Sequence, residues 1–412
     1  MANSRRTAAF VVLNWLATKD FPSNLLPEGP DRAFVQDLVY TVIRRLRPLR
    51  KVLGALVTKW PKGELEALLY VGAAQVLYMD EVPDFAAVNE TVEAAKACDN
   101  KSVAKVVNGV LRNLIRRREE FEKMVAEAPL EERESFPTEL VRRWAAHFGE
   151  DGAAKLCAWH NEPAETFIAR RDGTFVALER GKKVTDVPGY AEGEFIVQDP
   201  GTALAVELMD AKPGDVVLDA CAAPGGKTVQ LAWRGAKVTA CEVNPRRRRK
   251  LEENLKRLRL EAEVVGELGT KRTEKTEGTE KTGGTQAEGG QSNNPNNRTI
   301  EQFSKVLVDA PCSNTGVLRR RPDARWNWSV EKLAALVKLQ AEILDQAAAL
   351  VSSGGRLVYS TCSNEPEENL RQVEAFLVRH PDFELTESRE SIPFETGHDG
   401  AFAALLTRKA TI

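Results

Sequence analysis

The chain has 412 residues, of which 42% are hydrophobic and 29% charged, and its formal net charge is −2. No apolar run approaches the ~18 residues that a membrane-spanning helix needs. The opening stretch MANSRRTAAFVVLNWLATKDF has broken apolar residues and no small-residue cleavage site, so we expect an amphipathic helix rather than a signal peptide, and a cytoplasmic protein.

Residues 1–130 carry apolar side chains at three- and four-residue spacing, which is typical of helices packed in a bundle. The segment DRAFVQDLVYTVIRRLRPLRKVLGALV shows this pattern over its whole length, and Asp31 at its start is a candidate N-cap. The sequence therefore predicts an all-α domain over residues 1–130.

The pattern changes over residues 131–205. PTELVRRWAAHFG predicts a helix that ends at Gly149, whereas TFIARRDG and GEFIVQDPG predict short strands bounded by turn residues. We interpret this stretch as a small α+β connector.

Strand and helix patterns alternate over residues 206–412. The segments DVVLDA, KVTACEV, KVLVDA and GRLVYSTCS predict strands, and helical patterns separate them. Such alternation predicts an α/β domain with a mostly parallel sheet covered by helices on both faces. Residues 269–300 interrupt it with Gly, Thr, Glu, Lys and Asn, and we predict a disordered insertion there, since so little apolar surface cannot offset the entropy of ordering.

Six cysteines are scattered along the chain, without a C-x-x-C pair and without paired histidines. Zinc sites and disulfide frameworks need clustered or regularly spaced ligands, so the spacing predicts neither. We interpret Cys98 and Cys157 as small buried apolar side chains.

A glycine-rich turn follows the first strand of the α/β domain, in VVLDACAAPGGKT, residues 216–228. Gly225 and Gly226 allow close approach of a ligand to the backbone, and the next helix presents free N–H groups. The turn is not a dinucleotide or P-loop fingerprint. Asp219 ends this strand, and Glu242 ends the next one, where it can accept hydrogen bonds from a ribose. S-adenosylmethionine fits this pattern, because its carboxylate suits free N–H groups and its cation suits carboxylates; the alternative is a turn with a structural role only.

Cys312 follows the strand KVLVDA and Cys362 follows GRLVYST, so both are expected at the sheet edge that carries the glycine-rich turn. A thiolate that adds to C6 of a pyrimidine makes C5 reactive toward a methyl donor, and a second cysteine can assist the elimination. Asp309 can hydrogen-bond N3 and stabilise the charge that develops. We expect nearby arginines and strand-end dipoles to favour the thiolate.

Three segments in this order, DACAAPGGKT, DAPCSNTGVLRRRPDARW and STCSNEPEEN, closely resemble the RNA cytosine-C5 methyltransferases. The resemblance implies a Rossmann-like class I methyltransferase domain in which Cys362 is the nucleophile, Cys312 aids release and Asp309 contacts the base. It also implies an S-adenosyl-L-methionine site formed by Cys221, Ala222, Ala223, Pro224, Gly225, Gly226, Lys227, Glu242, Glu267 and Asp309. Glu242 and Glu267 stand where the family usually has Asp.

The segments RAFVQDLVYTVIRR, AAVNETVEAAKA and VVNGVLRNLIRRREE resemble the NusB-like domain of the RsmB/Sun family of 16S rRNA methyltransferases, and FPTELVRRW and GEFIVQDPGTA resemble its connector. The resemblance implies methyl transfer to cytosine 967 of 16S rRNA, naked or in an early assembly intermediate, by a monomer. The alternatives are a tRNA or another rRNA site, and a non-catalytic RNA-binding adaptor. A thiol-redox protein is a more remote alternative, since no C-x-x-C pair supports it.

Compact basic clusters are candidate contacts for RNA phosphates, and tryptophans beside them can stack on a base that has left its helix. The candidates are Arg44, Arg45, Arg47, Arg116, Arg117, Arg118, Arg319, Arg320, Arg321, Trp326 and Trp328. Two alternatives stay open at this point: the helical half can be a docking module for the catalytic half, and the tryptophans can be packing residues.

Overall fold

The computed structural model describes residues 3–98, 102–179, 181–268 and 302–410. The chain forms two compact units. The first comprises Met1–Ala164, Val317–Lys332 and Pro393–Gly397, and the second comprises Glu165–Gly316, Leu333–Ile392 and His398–Ile412. The predicted insertion at residues 269–300 lies outside the described residues.

Among its described residues the first unit contains helices and connecting turns but no strand. Its helices are α1 (Ser4–Thr18), α2 (Arg32–Arg44), α3 (Leu46–Leu56), α4 (Glu64–Tyr78), α5 (Asp84–Lys96), α6 (Ser102–Arg116), α7 (Arg118–Ala126), α8 (Leu130–Arg133) and α9 (Thr138–Asn161), with a short helix at Pro393–Thr396 and 3₁₀ helices at Pro22–Leu25 and Ala324–Trp326. The prediction of a helical N-terminal domain is confirmed.

Helix α4 forms the centre of this unit. Its residues from Ala67 to Val76 are all buried, because apolar side chains surround the helix instead of lining one stripe. Trp15 of α1, Leu38 of α2 and Leu111 of α6 are fully buried in the same hydrophobic cluster. Among the described residues, no helix combines the length and the apolar character that crossing a bilayer requires.

Two local predictions in this unit have different outcomes. Asp31 precedes α2 but makes no capping hydrogen bond, so the prediction of a side-chain cap is wrong; its φ of −84° and ψ of −2° are helical instead of extended, and its carboxylate accepts from Ser4 Oγ at 2.8 Å. Gly149 interrupts α9 with a φ of 74° and a ψ of 168°, a conformation open to a residue without Cβ. The predicted helix therefore ends at Gly149, and a second helical segment follows directly.

The second unit contains a small antiparallel sheet and a large one. Strands β1 (Phe167–Arg170), β2 (Phe175–Ala177) and β3 (Phe195–Val197) form the small sheet in the order β2-β1-β3. The large sheet contains β4 (Val216–Asp219), β5 (Lys237–Cys241), β6 (Glu263–Val265), β7 (Phe303–Asp309), β8 (Val351–Thr361), β9 (Phe383–Ser391) and β10 (Ala401–Arg408). Its helices are α10 (Leu204–Met209), α11 (Gly226–Trp233), α12 (Pro245–Leu258), α13 (Val330–Ala349) and α14 (Leu370–Arg379), and 3₁₀ helices lie at Val184–Asp186, Pro200–Ala203 and Thr315–Val317.

The strand order of the large sheet is β6-β5-β4-β7-β8-β10-β9. The pairs from β6 to β8 are parallel, and β10 is antiparallel to both β8 and β9. The prediction of a mostly parallel sheet is confirmed. The chain builds outward from β4 through β5 to β6 and then returns to β7 on the other side of β4, and an open α/β sheet binds ligands at such a reversal, beyond the carboxyl ends of the strands.

Candidate active site

The acids and cysteines singled out in the sequence lie at the carboxyl ends of neighbouring parallel strands. Asp219 ends β4 and Asp309 ends β7, the two strands at the reversal of strand order. The others follow strand ends: Glu242 after β5, Glu267 after β6, Cys312 after β7 and Cys362 after β8. The structure therefore brings all of these positions to one edge of the sheet.

The glycine-rich turn joins β4 to α11. Gly225 begins the helix with a φ of +108°, and a Cβ there would lie 2.7 Å from Leu251 Cδ1, so both the conformation and the packing favour glycine. Two side chains of α12 hold the turn from outside: Arg247 Nη2 donates to the Ala223 carbonyl at 2.7 Å, and Asn254 Nδ2 donates to the Pro224 carbonyl at 2.8 Å. The first-turn N–H groups of α11 have no partner within the helix, which makes this a place for an anionic group.

Asp219 lies beneath this turn and is 1% exposed. Its Oδ2 accepts from Thr228 Oγ1 at 2.6 Å. Burial disfavours the charged form and, with the nearby charge of Asp309, raises the pKa of Asp219 to about 6, while the hydrogen bond from Thr228 opposes the shift. This carboxyl supports the turn from inside.

Glu242 is buried and its carboxylate is fixed in position. Its Oε1 accepts from the Asn244 N–H at 2.8 Å, and its Oε2 lies 3.4 Å from Arg247 Nε. Glu267 is exposed beside it, on the next strand end. Burial, and then the negative charges of Glu242, Asp219 and Glu267, raise the pKa of the Cys241 thiol to about 11.

The two cysteines that follow β7 and β8 meet. Cys312 Sγ lies 3.4 Å from Cys362 Sγ, and Cys362 Sγ lies 3.4 Å from Asn314 Oδ1. Cys312 is 8% exposed, whereas Cys362 is half-buried. The hydrogen bond between the two sulfur atoms, followed by burial and by the charges of Cys362 and Glu368, raises the pKa of Cys312 well above its ordinary value. The pair therefore consists of a buried protonated thiol and a more accessible one.

Lys227 and Asp309 form an ion pair at the same edge, with Nζ 2.6 Å from Oδ2. Ser360 Oγ donates to the other carboxylate oxygen of Asp309 at 2.8 Å. Burial disfavours the ammonium of Lys227, but the charges of Asp309 and Cys362 outweigh it and raise the pKa of Lys227. Lys227 is therefore a cation that interacts electrostatically with Cys362, whereas the sequence analysis expected arginines in this position.

Sequence reasoning missed Asn314 and Glu368. Asn314 adopts a φ of +60° and accepts from Cys362, and Glu368 is a fully buried carboxylate between the two cysteine loops. Both occur inside the two cysteine motifs, Asn314 in DAPCSNTGVLRRRPDARW and Glu368 in STCSNEPEEN. The sequence showed that many polar residues follow each of these strand ends. No spacing pattern, however, predicts which of their side chains are buried at the site.

Most of the arginines proposed to hold RNA have partners within the first unit. Arg44 donates to the Arg319 carbonyl at 3.5 Å and Arg47 donates to the Phe136 carbonyl at 2.6 Å. The others pair as Arg45 with Glu134, Arg116 with Asn113, Arg117 with Glu120, Arg118 with Asp84, Arg319 with the Pro163 carbonyl and Arg321 with Asp323. Surface ion pairs are weak, so these contacts leave RNA binding open, but Arg44 and Arg47 have a structural role.

The two tryptophans proposed as stacking platforms pack within the first unit. Trp326 lies against its main hydrophobic cluster, and its Nε1 donates to the Ile43 carbonyl at 2.9 Å. Trp328 lies against a second cluster with Arg143 over its ring, 5.7 Å from the centroid. Of the two readings of these side chains, packing is the one that the structure favours.

The residues at the sheet edge fit S-adenosylmethionine. The α11 N–H groups suit its carboxylate and the fixed acid Glu242 suits its ribose. Within the described residues, no group of three or more His, Cys, Asp or Glu side chains is arranged to hold a metal ion.

Two family models match the chain. Residues 206–406 match the model described as 16S rRNA methyltransferase RsmB/F, and residues 2–116 match the NusB family. The crystal structure of PH0851 superimposes with a TM-score of 0.73 at 22% sequence identity, over 98% of this chain and 99% of that one. At this level of identity the likeness shows a shared fold.

Two curated relatives match along nearly their full length. Ribosomal RNA small subunit methyltransferase B of Serratia proteamaculans is 34% identical over 450 residues, covering 98% of this chain and 99% of that protein. The protein of the same name from Vibrio vulnificus is 32% identical over 450 residues, covering 99% of this chain and 100% of that protein. The chain therefore belongs to the RsmB/F family of 16S rRNA methyltransferases, which are S-adenosylmethionine-dependent enzymes.

Proposed function

We propose that this enzyme transfers the methyl group of S-adenosylmethionine to C5 of a cytosine in 16S rRNA, cytosine 967 by family resemblance, through a covalent bond between Cys362 and C6. The observation that carries the proposal is the pair of thiols 3.4 Å apart, next to the Lys227–Asp309 ion pair, at the strand ends where the cofactor turn lies. C5 of cytosine is a poor nucleophile, and addition of a thiolate at C6 is the step that activates it.

Cys362 suits the role of nucleophile better than Cys312. It is the more accessible of the two thiols, and the Lys227 ammonium lies within electrostatic reach of its sulfur. Cys312 is buried and held in its protonated form.

Asp309 suits contact with the base. When the Cys362 thiolate adds to C6, a carbon–sulfur bond forms, the electron pair of the C5–C6 double bond moves into the ring, and N3 takes up a proton from solvent. The Asp309 carboxylate, oriented by Ser360 and Lys227, can accept a hydrogen bond from that N3–H and stabilise the addition product. The contribution is electrostatic, and the carboxylate is in place before the reaction begins.

Cys312 suits release of the product. After methylation the proton on C5 leaves to solvent, the C6–sulfur bond breaks and its electron pair returns to Cys362. The Cys312 thiol, whose sulfur lies 3.4 Å from the Cys362 sulfur, can then donate its hydrogen to the departing sulfur. General-acid assistance of this kind lowers the barrier to expulsion.

The bound cofactor supplies an electrophilic methyl group, and this chain's residues orient it. We assign its site to the turn Cys221–Lys227 with Glu242, Glu267 and Asp309. In the same proposal residues 1–130 form an RNA-binding or docking domain, residues 131–205 a connector and residues 206–412 the catalytic domain. The substrate is naked 16S rRNA or an early assembly intermediate, and the enzyme acts as a monomer.

The test uses purified wild type, Cys362→Ala and Cys312→Ala with naked 16S rRNA and S-adenosylmethionine labelled in its methyl group. We expect Cys362→Ala to transfer no methyl group, because C5 then lacks its activating bond. We expect Cys312→Ala to accumulate a protein–RNA species that survives a denaturing gel, because release is impaired. Methyl incorporation and gel mobility are the two measurements.

Cys98→Ala is the matched control, since Cys98 belongs to the first unit and the strand ends belong to the second. It should behave as wild type in both measurements. Methyl transfer by Cys362→Ala would overturn the assignment of the nucleophile. If wild type transfers no methyl group to any RNA, the proposed activity is wrong and the alternative of a non-catalytic RNA-binding adaptor is favoured.

A further inference from the structure

Glu368 connects the loops that carry the two cysteines. It lies in the turn after β8 and is fully buried. Its Oε1 accepts from the Ser313 N–H at 2.9 Å, and its Oε2 accepts from Ser313 Oγ and from Ser363 Oγ, each at 2.5 Å. Ser313 directly follows Cys312, and Ser363 directly follows Cys362. One carboxylate therefore binds the neighbour of each cysteine.

Further polar contacts complete this arrangement. Gln340 Nε2, from α13, donates to Glu368 Oε1 at 3.0 Å and to the Pro311 carbonyl at 2.9 Å, so it binds the residue that precedes Cys312. The hydroxyls of Ser313 and Ser363 lie 3.1 Å apart. The Glu368 backbone carbonyl accepts from the Tyr359 hydroxyl at 2.7 Å, which attaches the turn to β8. The Glu368 side chain thus accepts four hydrogen bonds from three elements.

Joining two loops through a buried carboxylate carries a cost in free energy, because the charged group loses its hydration. Burial raises the pKa of Glu368, although the hydrogen bonds from Ser313, Ser363 and Gln340 oppose the shift. Neutral side chains could crosslink two loops without the cost of desolvating a charge. A carboxylate, in contrast, accepts several short hydrogen bonds at once and holds its donors in a defined geometry. Its presence here indicates that the relative position of the loops matters more than their stability.

We propose that Glu368 is a positioning residue that sets the separation of the Cys312 and Cys362 sulfur atoms, and thereby the release of the methylated base. The part concerning release rests on the function proposed above. Glu368 touches neither sulfur directly in any contact that the structure describes; it acts through Ser313 and Ser363. The charge of Glu368 also contributes to the raised pKa of Cys312, after the sulfur–sulfur hydrogen bond and burial. Position and charge both keep Cys312 a hydrogen-bond donor toward Cys362.

The first experiment measures the sulfur–sulfur geometry and needs neither RNA nor cofactor. Wild type, Glu368→Ala and Glu368→Gln are treated with diamide, and disulfide formation between Cys312 and Cys362 is followed over time by peptide mass spectrometry. We expect Glu368→Ala to form this disulfide about tenfold or more slowly, because a small misplacement of reacting groups lowers rates steeply. Glu368→Gln keeps one acceptor oxygen and should give an intermediate rate.

The second experiment separates release from methylation. With 16S rRNA and labelled cofactor, Glu368→Ala should slow multiple turnover more than the first turnover, and it should accumulate the covalent protein–RNA species on a denaturing gel. Glu368→Gln should restore part of the turnover. A side chain that only stabilised the fold would lower both phases together and would trap no adduct.

Glu367→Gln is the control variant, since Glu367 is the adjacent acid but pairs with Arg371 Nη1 at 2.9 Å. It should match wild type in both experiments. Crosslinking of Glu368→Ala and Glu368→Gln at the wild-type rate would overturn the proposal. If Glu368→Ala does not fold, the crosslinking rate of Glu368→Gln decides. If wild type methylates no RNA, the proposed function fails, while the diamide comparison still decides whether Glu368 positions the two thiols.

Discussion

Protonation of Asp219 is coupled to the stability of the fold. Its pKa rises from an ordinary 3.8 to about 6 on burial, so its contribution to stability is fully present below pH 4 and is lost as the pH rises through 6. A shift of this size corresponds to about 3 kcal/mol. We expect Asp219→Asn to be more stable than wild type at pH 7 by up to about 3 kcal/mol, because the amide has no charge to bury and can still accept from Thr228.

The measurement is the free energy of unfolding in urea, for both proteins, between pH 4 and pH 7.5. The advantage of Asp219→Asn should shrink toward zero at the acidic end. Asp215 provides a control of opposite sign, since its hydrogen bond with Lys305 lowers its pKa. Asp215→Asn should be less stable than wild type at pH 7, and this deficit should persist down to pH 4, because a carboxylate whose pKa is lowered from 3.8 stays charged over this range. A constant difference between Asp219→Asn and wild type across the range would contradict the assignment.

At the scale of elements, the adjacency of β7 and β8 forms the thiol pair. The two strands pair in parallel, with Asp309 opposite Ser360, so the loops that follow them leave the sheet side by side. Cys312 and Cys362 are 50 residues apart in the chain, but the sulfur atoms are 3.4 Å apart. Each strand by itself predicts only that a cysteine follows it.

A second element-scale feature is the segment Val317–Lys332, which belongs to the first unit. Arg325 anchors it there: its guanidinium is fully buried and donates to the Ser135 carbonyl, the His160 carbonyl and Asn161 Oδ1 at 3.0–3.2 Å. Burial lowers its pKa well below the ordinary value. Arg325, which follows the basic cluster Arg319–Arg321, therefore has a structural role.

We expect Arg325→Met to lower the free energy of unfolding by about 3 kcal/mol or more, because three buried acceptors would lose their donor. Urea unfolding followed by far-UV circular dichroism measures the change. Arg6→Met, at an exposed position in α1, should change stability by less than about 0.5 kcal/mol. Equal effects of the two substitutions would show that the buried contacts of Arg325 contribute no stability.

At the scale of the whole molecule, cofactor binding should appear as stabilisation. A ligand that binds only the folded protein stabilises it by about 2.7 kcal/mol at a hundred times its Kd. We expect the Tm of the wild type to rise with S-adenosylmethionine, and Glu242→Ala to lose this rise because the fixed carboxylate at the end of β5 is gone. Glu253→Ala, which removes an exposed acid of α12 paired with Arg249, should retain it. Differential scanning calorimetry decides the matter; an unchanged rise for Glu242→Ala would remove Glu242 from the proposed cofactor site.

Local patterns in the amino-acid sequence were sufficient to predict the classes of element and the sheet edge that carries the candidate site. Apolar spacing identified the helical N-terminal half, and alternating strands and helices identified the parallel sheet, because both depend on local periodicity. The residues after strand ends were identifiable for the same reason, since parallel strands place their carboxyl ends at one edge. Cys312, Cys362, Asp309 and Glu242 were found in this way.

Which side chains contact one another depends on how the elements pack, and local patterns do not predict it. Several contacts join residues that are distant in the chain. Lys227 pairs with Asp309, Glu368 accepts hydrogen bonds from both cysteine loops, and Arg325 is buried among residues of other elements. A charged side chain is expected in water unless a partner compensates for its burial, and the partner is supplied by another element whose register no local pattern specifies. The sequence thus determined what each strand end presents, and the packing of the elements decided what each group does there.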